Sequence, residues 1–282
     1  MDQPEPESHE QPTLDRSARR AEAEARWATV RYRWKIAWLV LIPLLIGCAV
    51  LAFNFEHDVL WVILIGSVLL FVALILFHFF HLKRLQRAAE MLDAADLLDF
   101  DFTEVVSAKD FKEAHGSCSL LEEGHSHKFH NVLVGQVGET TVCLADWSYT
   151  VGGGKSARHY AQTLVVLPGN PGWPDFRLTP ENWLHRLGDW FGAADIDFDD
   201  SPQFSKMYLL KGPDEAAIRA VFAADVRSRL EEKANWHIEG HEAGLVAFRK
   251  NHQVAPDQLA EFIAEVLGLA ALMAAPPPSP GS

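Results

Sequence analysis

VLWVILIGSVLLFVALILFHFF, Val59–Phe80, is the stretch that decides the architecture. A helix needs roughly 20 residues to cross the hydrocarbon core of a bilayer, and this run has that length with no Asp, Glu, Lys or Arg in it. A second run of the same kind precedes it, IAWLVLIPLLIGCAVLAF at Ile36–Phe53. Only Asn54-Phe55-Glu56-His57-Asp58 separates the two, which leaves room for a tight re-entry and nothing larger. The reading is a two-helix transmembrane hairpin, with spans at 36–55 and 59–80.

Charge sets its orientation. Arg19, Arg20, Arg26, Arg31, Arg33 and Lys35 precede the first run, Lys83, Arg84 and Arg87 follow the second, and the connector has no Lys or Arg. Positive flanks stay on the cytoplasmic side. The expected location is therefore integral to the cytoplasmic membrane, with both termini cytoplasmic. Trp34, Trp38 and Trp61 fall at the interfaces, where an indole buries its ring and keeps its N–H wet. A cleaved signal peptide fits the first run poorly, because a second span follows at once. Ionisable groups inside a span mark conduction paths, and here only His78 qualifies, at the exit end beside His81 and Lys83. Anchoring is the favoured role; an oligomeric, channel-like protein is the alternative.

Outward from the hairpin, residues 1–13 are acidic and proline-bearing, the composition of a disordered terminus. Residues 14–35 are rich in Ala, Arg and Glu and read as a juxtamembrane helix. Residues 81–98 continue the second span as a helix with Leu82, Leu85, Ala89 and Leu92 on one stripe. Residues 274–282 are a proline-rich tail read as disordered. What remains is a cytoplasmic α+β domain at 99–273.

Beyond residue 98 the chain has 15 basic and 26 acidic residues. That surface argues against nucleic acid as the main partner, since a phosphate backbone is drawn to cations. Three cysteines, Cys48, Cys118 and Cys143, make no even-numbered framework and read as free thiols.

Strand patterns occur at 131–137, 140–145 and 160–167, then at 196–198 and 207–210, then at 237–239 and 245–249. Thr179-Pro180-Glu181, Gly212-Pro213-Asp214 and Ala255-Pro256-Asp257 each place proline at a first helical position with an acid next to it. Apolar stripes follow: Trp183, Leu184, Leu187, Phe191; Ile218, Val221, Phe222, Val226, Leu230; Leu259, Phe262, Ile263, Val266, Leu267. The expected domain is an antiparallel β-rich half closed by one helix, then a ββαββα half.

The densest chemistry is His115, Cys118, Glu122, Glu123, His125, His127 and His130. Imidazole and thiolate ligate zinc and related transition metals, so His125, His127 and His130 are the candidate metal ligands. The spacing matches no standard zinc module, and period-two geometry sets His125 and His127 on one face and His130 on the other. A solvated His- and Glu-rich turn is the competing reading. Gly152-Gly153-Gly154-Lys155-Ser156 resembles a phosphate loop, but Tyr149 stands where the Walker pattern needs glycine and a strand pattern follows. A hairpin tip is favoured. His241-Glu242-Ala243-Gly244-Leu245 lacks the second histidine of a zinc-protease helix. Asp195, Asp197, Asp199 and Asp200 surround Ile196 and Phe198, a strand pattern with acids outward more than a cation site. No catalytic residue or bound cofactor is assignable.

Asn131-Val-Leu-Val-Gly135, Ala145-Asp-Trp-Ser-Tyr149, Gly152–Lys155 and Gln162-Thr163 form an ordered series. It continues through Phe176–Glu181, Asp195–Phe198, Phe204-Ser205, Tyr208–Leu210 and Gly212–Arg219. Over Leu120–Leu269 the series resembles a widespread bacterial family of uncharacterised membrane-anchored proteins, many with two N-terminal spans. The resemblance implies a cytoplasmic domain behind an anchor and carries no activity, cofactor or catalytic residue. Ala145 stands where such proteins have an aromatic, and the histidines at 125–130 are a local departure.

The functional expectation is a membrane-anchored cytoplasmic interaction or regulatory domain, with proteins as partners and a homo-oligomer allowed. The alternative is a metal-dependent or motif-poor hydrolytic enzyme tethered to the membrane.

Overall fold

The computed structural model describes residues 58–116, 118–169, 172–181 and 195–274, together with helical positions between 25 and 50. The disordered N-terminus expected at 1–13, most of the helix expected at 14–35, and the hairpin connector lie outside the described residues, as do positions 275–282. Two compact units divide at Glu90 and Met91.

In the first unit, the expected second span and its juxtamembrane continuation belong to one helix, α1 (Asp58–Leu98). It is long and apolar enough to cross a membrane, and Val62, Ile65, Leu69, Phe77 and Phe80 stand exposed along it. Described positions of the first apolar run, including Ile42, Pro43, Ile46 and Val50, are helical. The Trp38 ring meets Phe71 edge-on at 5.2 Å between centroids.

The second unit is built on one eight-stranded sheet in which every pairing is antiparallel. Its strands are β1 (Asp101–Val106), β2 (His125–Val137), β3 (Thr140–Val151), β4 (Arg158–Pro168), β5 (Phe176–Pro180), β6 (Tyr208–Lys211), β7 (Trp236–His241) and β8 (Gly244–Arg249). The order across the sheet is β1-β2-β3-β4-β8-β7-β5-β6. The strands expected at 131–137, 140–145 and 160–167 all lie in this sheet, and β4 joins them to the later strands by pairing with β8, Leu164 opposite Phe248 through Pro168 opposite Gly244.

Side-chain alternation gives the sheet two buried faces. Leu133, Val142, Leu144, Val165, Leu178, Ile238 and Ala247 face one core. That core is closed by Met91, Ala94 and Ala95 of α1 and by α3 (Pro202–Met207), α4 (Glu215–Val221), α5 (Ala224–Glu232) and α6 (Leu259–Ala274). Cys143, Ala145, Trp147, Tyr149, Leu164, Val246 and Phe248 face a second core. Its cover is thinner: α2 (Ala108–His115) and a 3-10 turn, Ser119–Glu122, which supply Phe111, Leu120 and Leu121.

Local chemistry explains most of the helix boundaries. Ser107 caps α2 by accepting from Asp110 N at 3.1 Å, and Gly116 ends it at φ 86°. Asp214 caps α4 by accepting from Ala217 N at 3.0 Å. A side chain whose oxygen accepts from an unsatisfied amide of the first turn is the favoured helix start. Pro256 opens a 3-10 turn that runs into α6.

Three expectations are corrected. Pro180 is not a first helical residue but the last residue of β5, opposite Tyr208 in register. The stripe behind it, Trp183 to Phe191, lies outside the described residues. The stripe Ile218–Leu230 is two helices, broken at Phe222-Ala223. Asp195–Phe198 forms no ladder strand, although Ile196 N donates to Leu210 O at 2.9 Å. Ile196 and Phe198 still point inward, as the alternation predicts.

Candidate functional site

The thinly covered face gathers charge in its interior. Glu239 on β7 and Arg177 on β5 are register partners, both nearly buried. The Glu239 carboxylate accepts from Ser119 N at 2.8 Å, Ser119 Oγ at 2.7 Å and Leu120 N at 2.8 Å. Arg177 Nη1 donates to the same Ser119 Oγ at 3.1 Å, so the hydroxyl links guanidinium to carboxylate. A buried carboxylate is tolerable only when charge and hydrogen bonds compensate its lost hydration. The 3-10 turn supplies the amides and Arg177 the charge. Burial lowers the Arg177 pKa, while Glu239 and Glu123 oppose that effect.

A second cluster adjoins it. Tyr149 OH donates to Glu123 Oε2 at 2.9 Å, and Lys250 Nζ lies 3.3 Å from Glu123 Oε1. The Lys250 ammonium stands 4.0 Å from the Tyr160 ring centroid, a cation–π contact strengthened by partial desolvation. Burial and Glu123 push the Tyr149 phenol well above its usual range, so it is a donor and not a base. His237 stacks on Phe248 at 4.9 Å, and burial drives its pKa down to about 3. Glu123, directly after the 3-10 turn, thus ties the cover to the sheet.

The three candidate metal ligands are engaged separately. His125 Nε2 contacts Gly152 O at 2.9 Å, and its Nδ1 contacts Ser126 Oγ at 2.9 Å. His127 stacks on Trp147 and Tyr149, and Trp147 Nε1 donates to its Nδ1 at 3.3 Å. Burial, with help from Lys112, lowers the His127 pKa. His130 sits opposite Asp146 on β3 and Val105 on β1. Among the described residues, no group of three or more His, Cys, Asp or Glu side chains can hold a metal ion. Burial raises both thiols, Cys143 to about 12, whereas a metal takes the thiolate.

The remaining motifs also resolve. Gly152–Ser156 is an exposed hairpin tip between β3 and β4. His241 Nδ1 accepts from Ala243 N at 3.2 Å within the β7–β8 turn. Asp195 Oδ1 accepts from Leu210 N at 3.0 Å, and burial lifts its pKa to about 6. Arg219 donates to Asp197 O at 2.7 Å, and Arg227 pairs with Asp200.

Two features escape a reading by sequence. Arg177, His237 and Glu239 alternate with apolar residues and so read as solvent-facing, because the turn that covers them comes from residues about 60 and 120 positions earlier, measured to Arg177 and Glu239. A knot of Asn131, Asp146 and Thr163 lies on the helix-covered face. Asn131 donates to Asp146 Oδ2 at 2.9 Å, Thr163 to Asp146 Oδ1 at 2.9 Å, and Val254 N to Thr163 Oγ1 at 3.0 Å. It pins a β2 register shift to the segment before α6. A cleft of about 390 Å³, lined by Glu139, Thr141, Leu167, Trp173, Leu267 and Ala271, opens beside α6.

No protein-family model matches the chain, and no curated protein does. Among solved structures, the crystal structure of the mycobacterial trehalose monomycolate transport factor A, TtfA, is similar over 67% of this chain and 96% of that one. The two share 11% sequence identity at a TM-score of 0.49.

Proposed function

We propose that this chain is a membrane-anchored interaction module, held by two spans with both termini cytoplasmic, whose folded domain binds other proteins. The observation that carries the reading is α1: one helix supplies the exposed apolar segment that includes Val62–Phe80 and the side chains Met91, Ala94 and Ala95 that enter the domain core. An apolar stretch of that length is stable only in lipid or against other apolar surface. The helical positions in the first run and the contact of Trp38 with Phe71 support a second span. The basic residues on both flanks support the orientation. Within the domain, the paired charges Glu239–Arg177 and Glu123–Lys250 brace a cover over the sheet, which suits a scaffold that presents surface.

The test is site-specific photo-crosslinking of the full chain in its native membrane, with the probe placed in turn at exposed positions of β1, of the β3–β4 tip and of α5. Discrete protein adducts confined to one surface support the reading. Adducts only to lipid, from every position, overturn it. Reagent labelling of a cysteine placed at position 278 from the outer side of intact cells would overturn the orientation.

A further inference from the structure

We infer that the tip formed by the start of β2 and the β3–β4 connection is a docking surface for an acidic, extended segment of a partner protein. The proposal rests on the interaction-module reading and names the chemistry of its partner.

Charge in the domain is distributed unevenly. Although acids outnumber bases beyond residue 98, positions 124–138 and 147–174 have no Asp or Glu at all. Strand pairing brings the ends of these stretches together. His125 is opposite Thr150 and Thr150 opposite His159; Lys128 is opposite Ser148 and Ser148 opposite Ala161; Arg158 is opposite Val151. His125, Lys128, Lys155, Arg158 and His159 are all exposed. None of Lys128, Lys155 and Arg158 forms an ion pair among the described residues. The acids just before His125 in the chain are paired elsewhere, Glu122 with Lys112 and Glu123 with Lys250. An overall acidic domain therefore presents one cationic end.

Its geometry favours an extended peptide over a single phosphate. The row containing Lys128 and the row containing His125 and His159 are two residues apart along β3, about 7 Å. An extended strand presents same-side carboxylates at that repeat. A phosphate needs converging amides, and two amides of this turn are used inside it, Ser156 N donating to Gly153 O and Ala157 N to Gly154 O, as is the Ser156 hydroxyl, which donates to Gly153 O. The tip also lies roughly 30 Å along β2 from Val134, the partner of Asp101, where the chain enters the sheet.

The experiment uses the full chain in phosphatidylcholine nanodiscs and a fluorescent oligoglutamate peptide of about eight residues, read by anisotropy. Saturable binding is expected. It weakens at least about tenfold in the combined Lys128→Glu, Lys155→Glu, Arg158→Glu variant, and falls several-fold between about 50 and about 300 mM salt. The reversal Lys206→Glu on α3 with Lys211→Glu on the edge strand β6 leaves it unchanged. Absence of saturable binding, or binding that survives the triple reversal with an unchanged unfolding midpoint, overturns the inference. So does preference of the same residues for inositol phosphate or phosphatidylglycerol vesicles over oligoglutamate, which assigns the tip to phosphate or lipid. If oligoglutamate fails while protein cross-links persist on another surface, only this inference falls; if cross-links also vanish, the interaction-module reading falls with it.

Discussion

Replacing Glu239 with Ala removes the acceptor of three hydrogen bonds and leaves Arg177 buried without its counter-charge. Ser119 N, Leu120 N and Ser119 Oγ all donate to this carboxylate, and Arg177 reaches it through the Ser119 hydroxyl. Breaking a buried pair from one side costs about 3–5 kcal/mol, a large part of the roughly 5–15 kcal/mol that holds a domain folded. Arg177→Met is expected to cost less, about 2–3 kcal/mol, because three donors still satisfy the remaining carboxylate. The combined variant should cost less than the sum of the two by at least about 1–2 kcal/mol, since neither charge is then stranded. The assay is urea unfolding of the full chain in detergent, followed by tryptophan fluorescence, with amide exchange read at Ser119 and Leu120. Exchange at both amides accelerates in Glu239→Ala. Additive costs, within about 0.5 kcal/mol, would refute the view that Glu239 and Arg177 act as one unit.

Other outcomes follow from particular contacts. Asp195 has a pKa raised to about 6 against an ordinary value of 3.8, so the folded state holds a proton that the unfolded state has released between those values. Stability therefore falls as pH rises from about 4 through 6. Asp195→Asn, which keeps the acceptor for Leu210 N, should flatten that slope and stabilise the domain at pH 7 by about 1 kcal/mol after allowance for solvent screening. His237, depressed to about 3, acts in the opposite sense: its contribution is complete above pH 6.5 and is lost as pH falls towards 3. His237→Phe should blunt acid unfolding in that window, as seen in the midpoint of a pH titration. Gly135→Ala places a Cβ 2.1 Å from the Phe100 ring; the expected cost is about 1–3 kcal/mol by thermal unfolding, and a neutral result would mean the ring has room to move. Arg at both Leu69 and Val72 should release the protein from membranes in alkaline carbonate extraction, at about 2.5–3.5 kcal/mol per residue; full retention would count against that segment as a span.

Local pattern carried a good part of this fold. Strands β2, β3 and β4 follow from β-branched alternation around the Gly138-Glu139 turn, and β7 and β8 from the same pattern around Glu242-Ala243. The turn that leads into α6 starts at Pro256 with Asp257 next to it, as expected, whereas at α4 Pro213 stays outside the helix and Asp214 is its cap. Strand β1 was not legible, because Asp101-Phe-Thr-Glu-Val-Val carries acids on both faces and has its register set only by β2. Pro180 was misleading for a related reason. Proline fits a first helical turn and a strand end equally well, and pairing with Tyr208 of β6 holds Pro180 in the strand.

Composition and local pattern set the apolar segment that can cross a membrane, the acidic balance of the domain, its mixed class and the elements with strong local signals. Each depends on composition or on neighbours within a few residues along the chain. That the strands become one sheet through β4 and β8 depends on packing between distant segments. Tertiary structure also decided that Glu239 and Arg177 are buried under a turn from residues 119–122, and that Lys128, Lys155 and Arg158 share one end of the sheet. The physical reason is that burial and charge clustering are set by what packs on top of a strand face, and the covering residues here lie up to 120 positions away.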